Sequence, residues 1–371
     1  MQRALVILAM FLLVTAALAA GALASHWPFW ARAWQWQMAK DGWPGQLPGP
    51  TQILRGGKAA LPLDFRIDPV LPAAAAGGET WLLLRAGPDG EARAFLAPGY
   101  SATTLVDGRG LATGLLAPLY GLLAERQTGL LDSAIGSHLV RWRDDPRGAV
   151  TPRQLLWQLS GFPAGELRPL NPFSARAQLA SGPDFERAAL RWKQTWPAGS
   201  HFEISPVNAQ LLALLAARLA GMSYAEVLEQ QLWSQFAAAD ATAVLDHSRG
   251  QMGAHCCMSA TAADWLRLGL LLADDGRVGA RQLLPAGWVD ELTHDSPVHP
   301  GYGLGYRITD DAVAGRVLAL ETAGRQLLVA PALRRALLWI GKGQPPADLQ
   351  HLLAAEAAVG GDMDVTERFP D

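Results

Sequence analysis

The sequence predicts an α+β fold: strands from both ends of the chain share one antiparallel sheet flanked by helices, and the middle forms a mostly helical subdomain. Three observations carry this. Residues 80–86 (TWLLLRA) and 91–97 (EARAFLA) are extended apolar runs on either side of Gly87-Pro88-Asp89-Gly90, the pattern of a hairpin. Residues 316–323, 326–330 and 335–341 read as further antiparallel strands near the other end. Between these regions apolar residues recur at helical spacing, most plainly Leu211, Leu212, Leu215 and Leu219 before Gly221.

Composition permits such a fold and excludes others. Of 371 residues, 50% are hydrophobic and 18% charged, enough for a sizeable core. A net charge of −3 gives no electrostatic reason to expect nucleic acid. Lysine occurs only at Lys40, Lys58, Lys193 and Lys342, and arginine carries most of the positive charge, a bias of GC-rich bacterial genomes. The two cysteines, Cys256 and Cys257, are adjacent and cannot build a disulfide framework. Two packed free thiols are expected, with a vicinal disulfide as the alternative in an oxidising compartment.

Residues 4–24 (ALVILAMFLLVTAALAAGALA) carry no charge and follow Arg3. The run is about 20 residues long, sufficient to span a bilayer. It also fits a signal peptide, with Ala22-Leu23-Ala24 supplying small residues for cleavage. Trp27, Phe29, Trp30, Trp34 and Trp36 crowd the next stretch, and Trp27, Trp30 and Trp34 share a helical face. Tryptophan favours the membrane interface because its ring is apolar and its N–H polar, which supports the anchor. Packing of these rings on the globular domain is the alternative. Residues 1–25 are therefore expected to be a membrane anchor or signal peptide, with the membrane as partner. The domain behind them faces the periplasm from the bacterial inner membrane, or is exported after cleavage.

Residues 26–60 form a Trp-, Pro- and Gly-rich linker, densest at GWPGQLPGP and RGGK, and the globular domain is expected over 61–345. After the hairpin, Pro98-Gly99-Tyr100 opens a loop, and a long apolar helix is expected from about Gly110 to Gln127. Thr151-Pro152 starts another helix, ending at Ser160-Gly161-Phe162-Pro163, with proline and glycine placed as helix ends prefer. Thr261 is a good N-cap with Asp264 at the third helical position, a structural role. Asp274-Asp275-Gly276 reads as a turn, and Asp310-Asp311 as a hairpin connection. Residues 346–371 are expected to be a final helix and an acidic tail.

Five stretches, in order and at suitable spacing, resemble the serine β-lactamase and penicillin-binding-protein superfamily. They are the Pro98–Asp132 stretch, TPRQLLWQLSGFP, the segment 197–233, the run Ser259, Thr261, Asp264, Gly269, Asp275, Gly276, and GRQLLVAP. The branch they resemble most is that of the 6-aminohexanoate-dimer hydrolases and related esterases. The resemblance spans about residues 61–345 and implies a β-lactamase/transpeptidase-like fold.

The resemblance also implies a chemistry. A serine attacks a carbonyl, a lysine takes its proton, a tyrosine relays a proton, and backbone N–H groups hold the oxyanion. In this register Gly110 stands at the serine position, Thr113 at the lysine position and Ile204 at the tyrosine position. The Lys/His-Thr-Gly strand motif falls near Glu321-Thr322-Ala323-Gly324, where Thr322 or Gly324 is the only echo. Independently of register, the residues three before each lysine are Gln37, Arg55, Leu190 and Trp339, so the sequence contains no Ser-x-x-Lys. Gly-x-Ser-x-Gly is also absent. Ser101 reads as a turn serine.

Neither a thiol nucleophile nor a metal site is expected from His255-Cys256-Cys257 or from His294 and His299, and no cofactor is expected. The expected cleft lining is Tyr100, Trp157 and Tyr302, suited to a small molecule or peptide. The reading is a lapsed hydrolase that binds or scaffolds in the cell envelope, with an unspecified protein partner. The alternative is an active amide or ester hydrolase with another nucleophile.

Overall fold

A computed structural model describes residues 2–39, 49–76, 79–87 and 89–353. Thirteen strands follow one another there: β1 (Thr51–Leu54), β2 (Asp64–Ile67), β3 (Glu79–Ala86), β4 (Glu91–Leu96), β5 (Leu105–Asp107), β6 (Ala241–Val244), β7 (Met258–Thr261), β8 (Arg277–Val278), β9 (Arg281–Gln282), β10 (Arg307–Asp311), β11 (Gly315–Thr322), β12 (Arg325–Ala330) and β13 (Arg335–Lys342). The main sheet has the order β10-β11-β12-β13-β3-β4-β2. Its two halves come from opposite ends of the chain and meet where β13 pairs antiparallel with β3, Leu338 opposite Leu84. Only β2 breaks the antiparallel pattern, running parallel to β4 at the edge.

Alternation along these strands feeds two apolar layers, since successive strand residues point to opposite faces. Leu82, Leu84, Leu327, Val329, Leu338 and Ile340 join the large core shared with the helices. Leu83, Leu328, Ala330, Leu337 and Trp339 face the other way and are covered by Ala75, Leu349 and Leu353. The Ala262–Ala273 helix lies on the first face. Thr261 caps it by accepting the Asp264 N–H, and the buried Asp264 carboxylate accepts from the N–H groups of Ala238 and Ala239. Gly269 lets the helix sit close: a Cβ there would lie 2.8 Å from the Ala336 Cβ and 2.9 Å from the Leu327 Cδ1.

A second sheet, β1-β6-β7-β5, joins the start of the domain to its middle. β1 lies inside the stretch expected to be linker and pairs antiparallel with β6, Ile53 opposite Thr242. The ordered unit thus reaches back before Leu61; residues 40–48 of the linker lie outside the described residues. So does the tail from residue 354.

The N-terminal segment forms one helix, Gln2–Ala39. Among the described residues no single helix is long and apolar enough to cross a membrane. The helix's second half rests on the domain: Phe29 and Ala33 pack with Ala177, and the buried Arg32 guanidinium donates to the carbonyls of Asp246 and Leu245. Burial lowers the Arg32 pKa, opposed by Asp246. Of the tryptophans, Trp30 is half-buried and donates to the Leu170 carbonyl at 3.1 Å, whereas Trp27 and Trp34 are exposed. The side chain of Trp36 lies outside the described ones.

Candidate functional site

Strand β5 delivers the chain to Gly108-Arg109-Gly110. It is held there by pairing with β7, by the Gly108 N–H donating to the Met258 carbonyl at 2.9 Å, and by the buried Arg325 donating to the Asp107 carbonyl at 2.7 Å. Asp107 accepts the Arg109 N–H at 3.1 Å, and Arg109 takes φ +44°, an uncommon value for a residue with a side chain. Burial first, and the nearby Arg109 second, push the Arg325 guanidinium down to about 10, which leaves it charged at neutral pH.

The helix expected to start at Gly110 does so as a 3₁₀ turn over Arg109–Leu115 and becomes α-helical only at Leu116–Arg126. The Thr113 hydroxyl donates to the Gly110 carbonyl at 2.7 Å, which occupies the hydroxyl within its own turn. β11 ends opposite. A Cβ built at Gly110 would lie 3.1 Å from the Thr322 Cβ and 3.4 Å from its Oγ1, so a side chain at 110 would point at Thr322.

Both line a cavity of about 940 Å³. Gly110, Thr113, Ile204, Tyr302 and Thr322 all line it. Among the described residues, none of the lining side chains is a lysine. Ile204, at the position the resemblance aligns with the family's tyrosine, is 61% exposed and presents only hydrocarbon.

A polar wall stands beside Ile204. Gln158 has φ +60° at the end of a helix shorter than expected, Pro152–Leu156, whose start is a capping box between Thr151 and Gln154. The Gln158 carboxamide oxygen accepts from the Ser205 N–H at 3.1 Å and from Asn208 Nδ2 at 2.7 Å. Ser160 donates to Asn208 Oδ1 at 2.6 Å, and the Ser205 hydroxyl donates to the Pro163 carbonyl at 2.9 Å. Pro206–Ala220 is the helix that carries this wall, and Gly221 ends it in the left-handed conformation.

Tyr302 completes the wall, with Phe202 edge-on at 5.0 Å and His299 stacked on Phe202 at 3.8 Å. Burial raises the Tyr302 phenol well above its usual range, with a hydrogen bond to Gln158 in partial opposition. Burial likewise raises Tyr306, whose hydroxyl donates to the Gly114 carbonyl at 2.5 Å. Both phenols therefore stay protonated at neutral pH and are unsuited to act as phenolate bases.

Tyr100 and Trp157, expected in the lining, are outside it. The loop after β4 folds Tyr100 back over β3, where it stacks on Trp81 with centroids 6.1 Å apart. Trp157 turns away beneath the Arg153 guanidinium, 5.3 Å from its ring centre. Ser101 is a turn serine: its N–H donates to Thr104 Oγ1 at 2.8 Å and its hydroxyl bonds Thr103 at 3.0 Å.

The sequence reading overlooked Gln158, Ser205, Arg307 and Glu321, which also line the cavity. Arg307 and Glu321 form an ion pair at 3.0 Å across neighbouring strands. His255 and Cys256 line another part of the wall. The free-thiol expectation is corrected here: Cys256 and Cys257 are joined as a vicinal disulfide, their Cα atoms 3.7 Å apart. Burial, with the positive charge of Arg176 second, pushes His255 down to about 4, so its imidazole is neutral at pH 7.

A family model described as Beta-lactamase matches residues 115–358, more than half of the chain. The 6-aminohexanoate-dimer hydrolase of Paenarthrobacter ureafaciens is 32% identical over 92 residues, a match that spans 24% of this chain and 23% of that protein. A putative 6-aminohexanoate-dimer hydrolase from Bacillus anthracis superposes with a TM-score of 0.68 at 18% identity, over 88% of this chain and 92% of its own. EstCE1, a hydrolase with promiscuous acyltransferase activity, superposes with a TM-score of 0.55 at 13% identity, over 74% and 92% of the two chains. The fold is that of the β-lactamase/transpeptidase architecture, a sheet flanked by helices with a mostly helical subdomain.

Proposed function

The chain belongs to the beta-lactamase family, and from that premise we propose that it binds a small molecule or peptide in its cavity without acyl transfer. One observation carries the reading. The cavity is roomy, yet the residue beside Thr322 in its wall is Gly110, which has no side chain to attack with. Thr113 sits one turn on with its hydroxyl committed to the Gly110 carbonyl, and a threonine cannot serve as a base near neutral pH. Ile204 holds no proton to relay. Among the polar groups on the lining, Gln158 and Tyr302 suit recognition: each offers a hydrogen-bonding group held in place by a neighbour.

In this reading the protein acts by binding or scaffolding in the bacterial cell envelope, attached to the inner membrane by the charge-free run 4–24 or exported after its cleavage.

A second reading has its own support. Solved structures with this fold include an amidohydrolase described as D-stereospecific, from Streptomyces, and the Ser205 hydroxyl is on the cavity lining. An active amide or ester hydrolase would then use a nucleophile other than residue 110. Ser205 lacks a visible base, its hydroxyl being given to the Pro163 carbonyl.

The test is labelling with a fluorophosphonate and a fluorescent penicillin, for the wild type and for Gly110→Ser/Thr113→Lys. The binding reading expects no label on the wild type and a gain of label in the double variant. Stoichiometric label on the wild type favours the hydrolase and, once mapped, names its nucleophile.

A further inference from the structure

We propose that His255, Cys256 and Cys257 form a site for a soft, thiophilic metal ion in the cavity wall, opened when the Cys256–Cys257 bond is reduced.

The geometry fits such an ion. The imidazole nitrogen of His255 and the two sulfurs lie within 4.8 Å of one another. Donors about 2.0 to 2.3 Å from one ion at tetrahedral angles stand about 3.5 Å apart, so parting the sulfurs and retaining the imidazole satisfies three positions. His255 Nε2 already lies 3.3 Å from Cys256 Sγ. The fourth position faces the cavity, which both His255 and Cys256 line.

The donor set selects the class of ion. Two thiolates and an imidazole suit soft or borderline cations and not magnesium or calcium, which require oxygen ligands. Arg176 lines the same cavity and bears positive charge toward His255. A cation held mainly by charge is disfavoured there, whereas two thiolates compensate a divalent ion in full.

The imidazole is held beside the sulfurs by packing: its ring meets Phe185 edge-on at 5.9 Å. Nδ1 is sealed from solvent, and Nε2, on the Cys256 side, is the nitrogen placed to ligate.

The chemistry balances. An external dithiol supplies two electrons and two protons; the Cys256–Cys257 bond breaks, and the reductant closes to its own disulfide. A divalent ion then takes both sulfurs as thiolates and releases two protons. Occupancy would be felt at Gly110. The Cys257 carbonyl accepts the Val244 N–H at 2.8 Å, and the next residue, Met258, accepts the Gly108 N–H at the head of the Gly110 turn.

The site does not depend on whether Gly110 has lost its chemistry. The test uses the full-length chain reduced with dithiothreitol, freed of reductant under nitrogen and titrated with cadmium(II). One equivalent of tightly bound cadmium with a thiolate-to-metal absorption band is expected. The oxidised chain should show no such band, Cys256→Ser, left with one thiolate, should show at most about half of it, and His255→Ala should weaken binding by at least about tenfold. If His255→Ala does not fold, judged by its thermal melt, His255→Gln takes its place. The proposal is overturned if the reduced wild type takes up no cadmium, if the oxidised chain binds it equally, or if the folded histidine variant binds as tightly as the wild type.

Discussion

Two parts of the cavity wall are built differently. In one, Gly110 offers only hydrogen and Thr113 bonds its own turn. On the Gln158 side each polar group is held by another, from Gln158 through Asn208 to Ser160 and from Ser205 to Pro163. The difference teaches which contacts the fold itself needs. A hydrogen-bonded buried amide cannot be removed without orphaning its partners, whereas a residue bonded only within its own turn can be exchanged without orphaning another.

The largest expected effect is on the bonded wall. Asn208→Ala strips Ser160 and Gln158 of a buried partner, and urea unfolding should show a loss of about 3 kcal/mol. Next, Tyr306→Phe removes one hydrogen bond to the Gly114 carbonyl and should cost about 1 kcal/mol in the same assay. On the other wall Gly110→Ser must move Thr322 by only a few tenths of an ångström, and a change below about 1 kcal/mol is expected. If Gly110→Ser cost as much as Asn208→Ala, the contrast between the walls would fail.

The smallest effect is a pH step at the outer end of the bonded wall. Arg147 donates to the Trp192 carbonyl, Trp192 donates to the Pro163 carbonyl, and Pro163 accepts from Ser205. Asp145 holds Arg147, and its carboxyl is lowered from 3.8 to about 2, chiefly by the hydrogen bond to that guanidinium. A lowered folded pKa contributes stability that is present above 3.8 and is lost as pH falls through about 2. Thermal melts across that window should show a step that Asp145→Asn removes.

What local pattern governs was legible beforehand. The β3–β4 hairpin, strands β11 to β13, the Pro206–Ala220 helix with Gly221 and the Thr261 cap follow from periodicity and end chemistry. Long-range pairing was not. β1 hides in a Gly/Pro-rich stretch because its partner β6 lies far along the chain, and Gln158 meets Ser205 across 47 residues. Tyr100 and Trp157 were misplaced for the same reason: an aromatic side chain after a loop does not disclose which neighbour will take it. Gly110, Thr113, Ile204 and Thr322 share one cavity, a juxtaposition that came from a family resemblance and not from spacing. Adjacency of Cys256 and Cys257 left free thiols and a vicinal disulfide both open, and the structure has the disulfide.

The most direct test of the central claim is the intact mass of the full-length wild type after prolonged incubation with an excess of fluorophosphonate. The account predicts an unchanged mass, since in it the cavity binds without acyl transfer. One equivalent of adduct on a cavity residue, abolished by its substitution, would contradict it.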